Sequence, residues 1–237
     1  MIYDYHLSVS HLDNRIVFYS SVRLASYHGY PPVHSWLQRK SLYLITQSPF
    51  KRAHWPILEK AIQGGVAVVQ LRDKTATQSD LKDMALFLKP RLAAYGVPLI
   101  INDHLEVAKA LQLGLHLGLE DGCPREARSI LGPERCIGLT VHRWLAESDA
   151  VADVIDYVGC GPVFNTITKP DAKPSFGVDV LSRLCQDSTL PVVAIGGIGV
   201  DNIESVWRAE PNAVAVSSAI WMNPNPMLTA QKLSAAP

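Results

Sequence analysis

Arg72 and Lys74 stand two residues apart in the stretch QLRDK, residues 70–74. An Arg and a Lys so spaced suit a polyanion, Arg through its planar fork of donors and Lys as a point charge. The plainer reading is two solvated cations with Asp73 as their partner. The run PLIIN ends in Asn102-Asp103, and HLGLED places Asp121 further on. Two carboxylates on neighbouring loops can share one hard cation, and magnesium is the usual choice when phosphates supply the remaining oxygens. Glu120 competes with Asp121 for that role, and spacing does not decide between them. Asn102-Asp103 also fits a helix N-cap, because HLEVAKAL follows. In IGLTVH, Thr140 carries a hydroxyl that can donate to a phosphate or a leaving group, and His142 an imidazole that can carry a proton. A capping Thr and a surface His are the simpler alternatives. His116 lies inside an apolar run and reads as a packed core histidine rather than a catalyst.

Two further groups belong with these. The stretch GPVFNTITKPDAKPSFG, residues 161–177, is long and dense in Gly, Pro, Thr and Lys. It reads as a loop that can close over a site and bring Lys169 into it. Gly196-Gly197 and Ser217-Ser218 end two successive apolar runs. Glycine lets backbone approach an anion without a Cβ in the way, and loops at this address in a barrel build phosphate sites from backbone N–H groups.

These residues must be carried by elements that bring them to one place. From Ser41 onward, short apolar runs alternate with amphipathic stretches. The runs cover residues 42–46, 66–71, 98–102, 114–118, 136–140, 156–160, 191–197 and 213–217. Being apolar on both faces, they read as strands of a buried parallel sheet. Helical patterns lie between them, as in WPILEKAIQ (55–63), LKDMALFLKPRLAAY (81–95) and DNIESVWRAE (201–210). Eight strand–helix units in roughly 200 residues predict a TIM (β/α)8 barrel. An open doubly wound sheet is the alternative. In the barrel, the polar punctuation after every strand converges on one rim, where function sits.

Residues 1–40 read as an N-terminal extension ahead of the barrel domain, 41–237. They hold five of the eight Tyr and four of the eight His, a composition unlike the rest. Alternating stretches around 2–9 and 15–24 flank HLDN and suggest a hairpin. The His residues share no ligand spacing, so no metal site is expected there. With 22 basic and 22 acidic residues among 237, the chain lacks the charge footprint of a nucleic-acid binder. No apolar run approaches the ~20 residues of a membrane span, and no secretory leader is expected at MIYDYHLSVS. Four scattered cysteines without a CxxC argue against a disulfide scaffold or structural zinc and fit a reducing cytoplasm.

The stretches QLRDK, IIND, HLGLED, IGLTVH, GPVFNTITK, PVVAIGGI and VAVSSAI follow one another in this order. Together they resemble the thiamine-phosphate synthase family, over residues 41–222. The resemblance implies a barrel enzyme that joins hydroxymethylpyrimidine diphosphate to thiazole phosphate, giving thiamine phosphate and pyrophosphate, with Mg2+ as cofactor. It further implies that Gln70, Leu71, Arg72, Asp73 and Lys74 hold the pyrimidine diphosphate, with Asn102, Thr140 and Lys169 as further contacts. Asp103 and Asp121 match the magnesium ligands. Thr166, Ile167, Thr168, Gly197, Ser217 and Ser218 match the thiazole phosphate pocket. Arg72, Lys74, Thr140 and Lys169 are then the catalytic set, stabilising charge on the departing pyrophosphate.

The chain departs from the family in two places. Leu119 stands where the family usually has Gln, and Thr140 where it often has Ser. The first loses an amide next to the expected metal; the second keeps its hydroxyl. A thiazole tautomerase, which would use a His at position 142, and a non-catalytic thiamine-precursor binding or regulatory protein are the competing readings. The tautomerase would need neither the QLRDK cations nor the Asp pair. The expected partners are small-molecule substrates, with neither nucleic acid nor membrane. A homo-oligomer stays open, the extension being a candidate dimer contact.

Overall fold

The computed structural model describes residues 7–12, 15–20, 35–38, 40–142, 146–166 and 173–235. In the first part, β1 (Leu7–Leu12) and β2 (Arg15–Ser20) pair antiparallel, with Leu7 opposite Ser20 and Leu12 opposite Arg15. The hairpin expected from alternation is present, with the first strand displaced toward HLDN.

Eight parallel strands then close on themselves. They are β3 (Ser41–Ile45), β4 (Val66–Leu71), β5 (Leu99–Asn102), β6 (Gly114–Leu117), β7 (Ile137–Val141), β8 (Tyr157–Cys160), β9 (Val192–Ile195) and β10 (Ala213–Val216). Each pairs with the next, and β10 returns to β3, Ala213 opposite Ser41. The barrel is therefore the observed architecture and the open sheet is not. Between the strands lie α1 (Trp55–Gln63), α2 (Gln78–Ala93), α3 (Leu105–Leu111), α4 (Pro124–Leu131), α5 (Ala146–Asp149), α6 (Gly177–Asp187) and α7 (Ile203–Arg208). After β10 come α8 (Ser218–Trp221) and α9 (Pro226–Ser234). Among the described residues no helix is long and apolar enough to cross a membrane.

Local chemistry explains the boundaries. A proline in its first turn starts α1. In α2, Thr77 and Asp80 form a capping box, the Thr77 hydroxyl accepting from the Asp80 amide at 3.2 Å and the Asp80 carboxylate accepting from the Thr77 amide at 3.2 Å. That cap begins the helix three residues ahead of its periodic apolar pattern. The helix read over 201–210 shortens to Ile203–Arg208, because Asn202 spends its side chain on the loop before it: it accepts from the Gly199 amide and donates to the Gly197 carbonyl, both at 2.9 Å.

Strand alternation sorts the core into two layers. Leu42, Leu44, Val69, Leu71 and Ile101 face outward and are buried beneath the helices. Tyr43, Ile45, Val68, Ile100, Tyr157, Val193 and Ala215 face inward and fill the barrel. The barrel floor recruits two residues from ahead of its first strand. Trp36 and Leu37 are buried there, and the Trp36 ring meets those of Tyr43 and Tyr157 edge-on, each at 5.3 Å between centroids. The Asn212 amide donates to the Leu37 carbonyl at 3.1 Å and ties this turn to β10.

Candidate active site

The carboxyl ends of β4, β5 and β6 carry the charged cluster. On β4, Gln70 faces the barrel interior and donates through Nε2 to the Tyr43 hydroxyl at 2.9 Å. Arg72 follows on the same face. Its backbone is clasped by Thr46, whose hydroxyl accepts from the Arg72 amide and donates to the Arg72 carbonyl, both at 2.9 Å. Among the described residues its guanidinium makes no ion pair. Lys74, half exposed in the turn beyond, pairs with Asp103 and stands 3.6 Å from Asp121.

Asp103 sits in the left-handed region, with φ of 65°, a conformation that Asp tolerates better than most residues. The Asn102 amide donates to its carboxylate at 2.5 Å. Desolvation, helped by the nearby Asp121 charge, holds the Asp103 carboxyl above the usual range in spite of Lys74. For Lys74 the balance runs the other way. Desolvation pulls its pKa down, yet the hydrogen bond and charge of Asp103 and the charge of Asp121 leave it raised. Asp121 is the carboxylate that joins this cluster, accepting from the Gly118 amide at 3.1 Å; Glu120 is exposed beside it. Among the described residues no three His, Cys, Asp or Glu side chains converge. A cation held by this pair would take its other oxygens from phosphate and water.

The same alternation that aims Gln70 and Arg72 inward turns Leu71 and Asp73 away from them. Leu71 is buried in the outer layer. The Asp73 carboxylate is taken up by four donors: the Ser48 hydroxyl at 2.6 Å, the Phe50 amide at 2.8 Å, and the Thr75 amide and hydroxyl at 3.0 and 2.7 Å. Desolvation raises its pKa, but these hydrogen bonds win and leave it below the usual carboxylate value. The two residues grouped with the substrate-binding stretch are therefore not brought into the cluster. Asp73 clamps the loop after β3 to the turn after β4.

Thr140, at the end of β7, is partly buried, and its hydroxyl lies 2.9 Å from His116 Nε2. His116 Nδ1 lies 2.9 Å from the Tyr157 hydroxyl, which is 3.1 Å from that of Tyr43. The barrel wall pushes the pKa of His116 down to about 4 by desolvation. It is a packed histidine with both nitrogens engaged. His142 is half-buried and faces the Gly161 carbonyl at 3.3 Å.

Across the rim, the loops after β8, β9 and β10 form an open cleft of about 360 Å³. It is lined by Asn165, Thr166, Gly197, Gly199, Asn202 and Ser218 among others. Gly197 has φ of 65°, and a Cβ there would run into the Asn165 carbonyl and Phe164. Only glycine fits that conformation and that approach. Ser217 borders the same corner, ahead of α8. Ile167, Thr168 and Lys169 lie outside the described residues. Thr46, Asn202 and the tyrosine pair were missed from sequence. Thr46 alone carried a signal, a hydroxyl at the end of the first apolar run.

A family model described as thiamine monophosphate synthase matches residues 42–220. The chain is 40% identical over 183 residues to a thiamine-phosphate synthase of Syntrophomonas wolfei, covering 76% of this chain and 88% of that protein. It is 41% identical over 188 residues to another from Azorhizobium caulinodans, covering 78% and 89%. The solved structure of thiamine phosphate pyrophosphorylase from Pyrococcus furiosus superposes with a TM-score of 0.73 at 29% identity, covering 83% of this chain and 95% of that one.

Proposed function

The chain belongs to the thiamine monophosphate synthase family, and we propose from this premise that its rim holds two phosphorylated substrates side by side until they couple. The activity is a thiamine-phosphate synthase's, a transfer that releases pyrophosphate. The observation that supports the site assignment is that the barrel's strand ends carry a charged cluster around Lys74 and, apart from it, a glycine-lined cleft. The ends of β4, β5, β6 and β7 offer Arg72, Lys74, Asn102 and Thr140 around the Asp103–Asp121 pair. The cleft at Gly197 and Ser218 offers glycine backbone and hydroxyl groups, with Asp201 also on its lining, and in this reading takes a monophosphate through those amides and hydroxyls. In our reading the first receives hydroxymethylpyrimidine diphosphate and the second thiazole phosphate.

The Asp pair fits magnesium. Both are hard oxygen donors, and Lys74 already supplies one positive charge to them. Bound there with the diphosphate, the ion would offset charge on the leaving oxygens. The residues of this chain do the rest. Arg72 grips the diphosphate through its fork. Lys74 is a second positive charge facing it, and Thr140 donates a hydrogen bond. As the C–O bond to pyrophosphate breaks, its electron pair leaves with the pyrophosphate oxygen, and these groups stabilise the growing charge in place. The aminopyrimidine ring spreads the positive charge left on its methylene carbon. The thiazole nitrogen then supplies the pair for the new C–N bond. No proton moves and no protein nucleophile is needed, which accords with a rim that presents no activated Ser or Cys among the described residues. Lys169 and Thr166 to Thr168 complete the two pockets in this proposal. All four cysteines are free thiols, which supports a reducing, cytoplasmic setting.

The test is direct. Purified protein given both substrates and magnesium is expected to release pyrophosphate and form thiamine phosphate, and Asp103→Ala to stop it. Full activity in that variant would overturn the metal assignment; no product from the wild type would overturn the substrates.

A further inference from the structure

An unbroken chain of hydrogen bonds crosses the inside of the barrel beneath the diphosphate site. It runs from Gln70 Nε2 to the Tyr43 hydroxyl at 2.9 Å, on to the Tyr157 hydroxyl at 3.1 Å, to His116 Nδ1 at 2.9 Å, and from His116 Nε2 to the Thr140 hydroxyl at 2.9 Å. Both ends of the chain are residues assigned above to the pyrimidine diphosphate. Its two tyrosines are fully buried and His116 is partly buried beside them.

Donor and acceptor chemistry gives the chain one direction. The Gln70 amide nitrogen can only donate, so the Tyr43 oxygen accepts; that hydroxyl is buried, and among the described residues the Tyr157 oxygen is the acceptor left for its proton. Tyr157 then donates to His116 Nδ1. A neutral imidazole has one N–H, so the proton sits on Nε2 and is given to the Thr140 oxygen. The Thr140 proton has nowhere left to point within the chain and faces the rim. We propose that Tyr43, Tyr157 and His116 are positioning residues that hold the Thr140 hydroxyl as a fixed hydrogen-bond donor to the diphosphate. This deepens the reading of Thr140 under Proposed function and rests on it.

The surroundings are built to hold the chain still. The Trp36 ring braces both tyrosines edge-on from the barrel floor. The His116 and Tyr157 rings are stacked, 5.5 Å apart and 25° from parallel. A Cβ at Gly138, on β7 two residues before Thr140, would lie on the Tyr157 ring, so glycine makes the space that ring fills. A donor held in place needs no reorientation when negative charge builds on the pyrophosphate, and such preorganisation is where catalytic hydrogen bonds gain their strength.

The test measures binding of magnesium pyrophosphate by calorimetry, and turnover, for Tyr157→Phe, His116→Phe, Thr140→Val and the double variants carrying Thr140→Val. Each single variant is expected to weaken pyrophosphate binding by about 3- to 10-fold, the worth of one hydrogen bond. The Michaelis constant for thiazole phosphate is expected to stay at the wild-type value. In the Thr140→Val background, Tyr157→Phe and His116→Phe are expected to add nothing, because they act only through that hydroxyl. A merely structural role would instead give losses that add in full. Thr140→Ser, which keeps the hydroxyl, is expected to recover most of the binding that Thr140→Val loses. The proposal is overturned if Tyr157→Phe binds pyrophosphate as well as or better than the wild type, or if its loss adds to that of Thr140→Val. Thermal melts accompany each variant; where Tyr157→Phe does not fold, His116→Phe, which keeps the stacked ring, decides alone. A wild type that makes thiamine phosphate while these variants bind normally sinks this inference and leaves the synthase reading intact. A wild type that makes none sinks the other.

Discussion

Lys74, from the turn after β4, is ion-paired with Asp103 at the end of β5, and the same ammonium stands 3.6 Å from Asp121. Two carboxylates this close repel unless a cation lies between them. The protein keeps its own cation there, so under the proposed function the pair would receive a metal without depending on one to stay folded. Removing magnesium with a chelator should therefore abolish turnover while leaving the melting temperature where it was. Asp103→Asn should raise the magnesium concentration needed for half-maximal rate by about 10-fold or more, read from rates across a magnesium titration.

Gly197 is the second fixed point. Its left-handed φ of 65° and the crowding by Asn165 and Phe164 leave no room for a side chain. Gly197→Ala should cost roughly 1–3 kcal/mol of stability and raise the Michaelis constant for thiazole phosphate. Chemical denaturation and steady-state kinetics read the two effects separately.

Asp73 should behave as a clamp. Its folded-state pKa lies below its unfolded one, so its contribution to stability is fully present above the unfolded value, near 4, and is lost as pH falls through the lower, folded value. The gap in melting temperature between the wild type and Asp73→Asn should stay constant from neutral pH down to about 5 and narrow below about 4. Scanning calorimetry across that range checks it. At neutral pH the variant should lose roughly 2 kcal/mol, as hydrogen bonds to a charged group do.

Leu119 is 39% exposed on the loop that carries Asp121 and belongs to no core cluster. Leu119→Gln should leave stability within about 0.5 kcal/mol of the wild type. It should improve kcat/KM for the diphosphate about 3-fold, the gain of one new hydrogen bond to a phosphate or its bound water. Paired melts and kinetics test both halves.

The barrel was legible because its elements are locally consistent. WPILEKAIQ forms α1 over the very residues read from it, since a first-turn proline and one apolar face agree on where a helix starts and what it buries. The apolar runs became strands to within a residue or two, because burial on both faces leaves a plain mark. The inward turn of Gln70 and Arg72 followed from alternation, and the same rule, applied one residue further, turns Leu71 and Asp73 out of the site. What stayed hidden depends on closure. Tyr43 and Tyr157 are 114 positions apart and meet only because β3 and β8 share one interior. Trp36 lies within residues 1–40, read as an extension ahead of the barrel, and nothing local marks it as the barrel's floor. The role of Asn202, which ties down the Gly197 turn, looks in sequence like an ordinary helix start.

The central claim is that one rim holds two different anions at two separate places. Comparing Michaelis constants for both substrates in Arg72→Ala and Ser218→Ala tests it most directly. The account predicts that Arg72→Ala raises the constant for the pyrimidine diphosphate alone, and Ser218→Ala that for thiazole phosphate alone, each by about 10-fold or more. If both variants weakened the same substrate, or each weakened both equally, two separate sites would not exist.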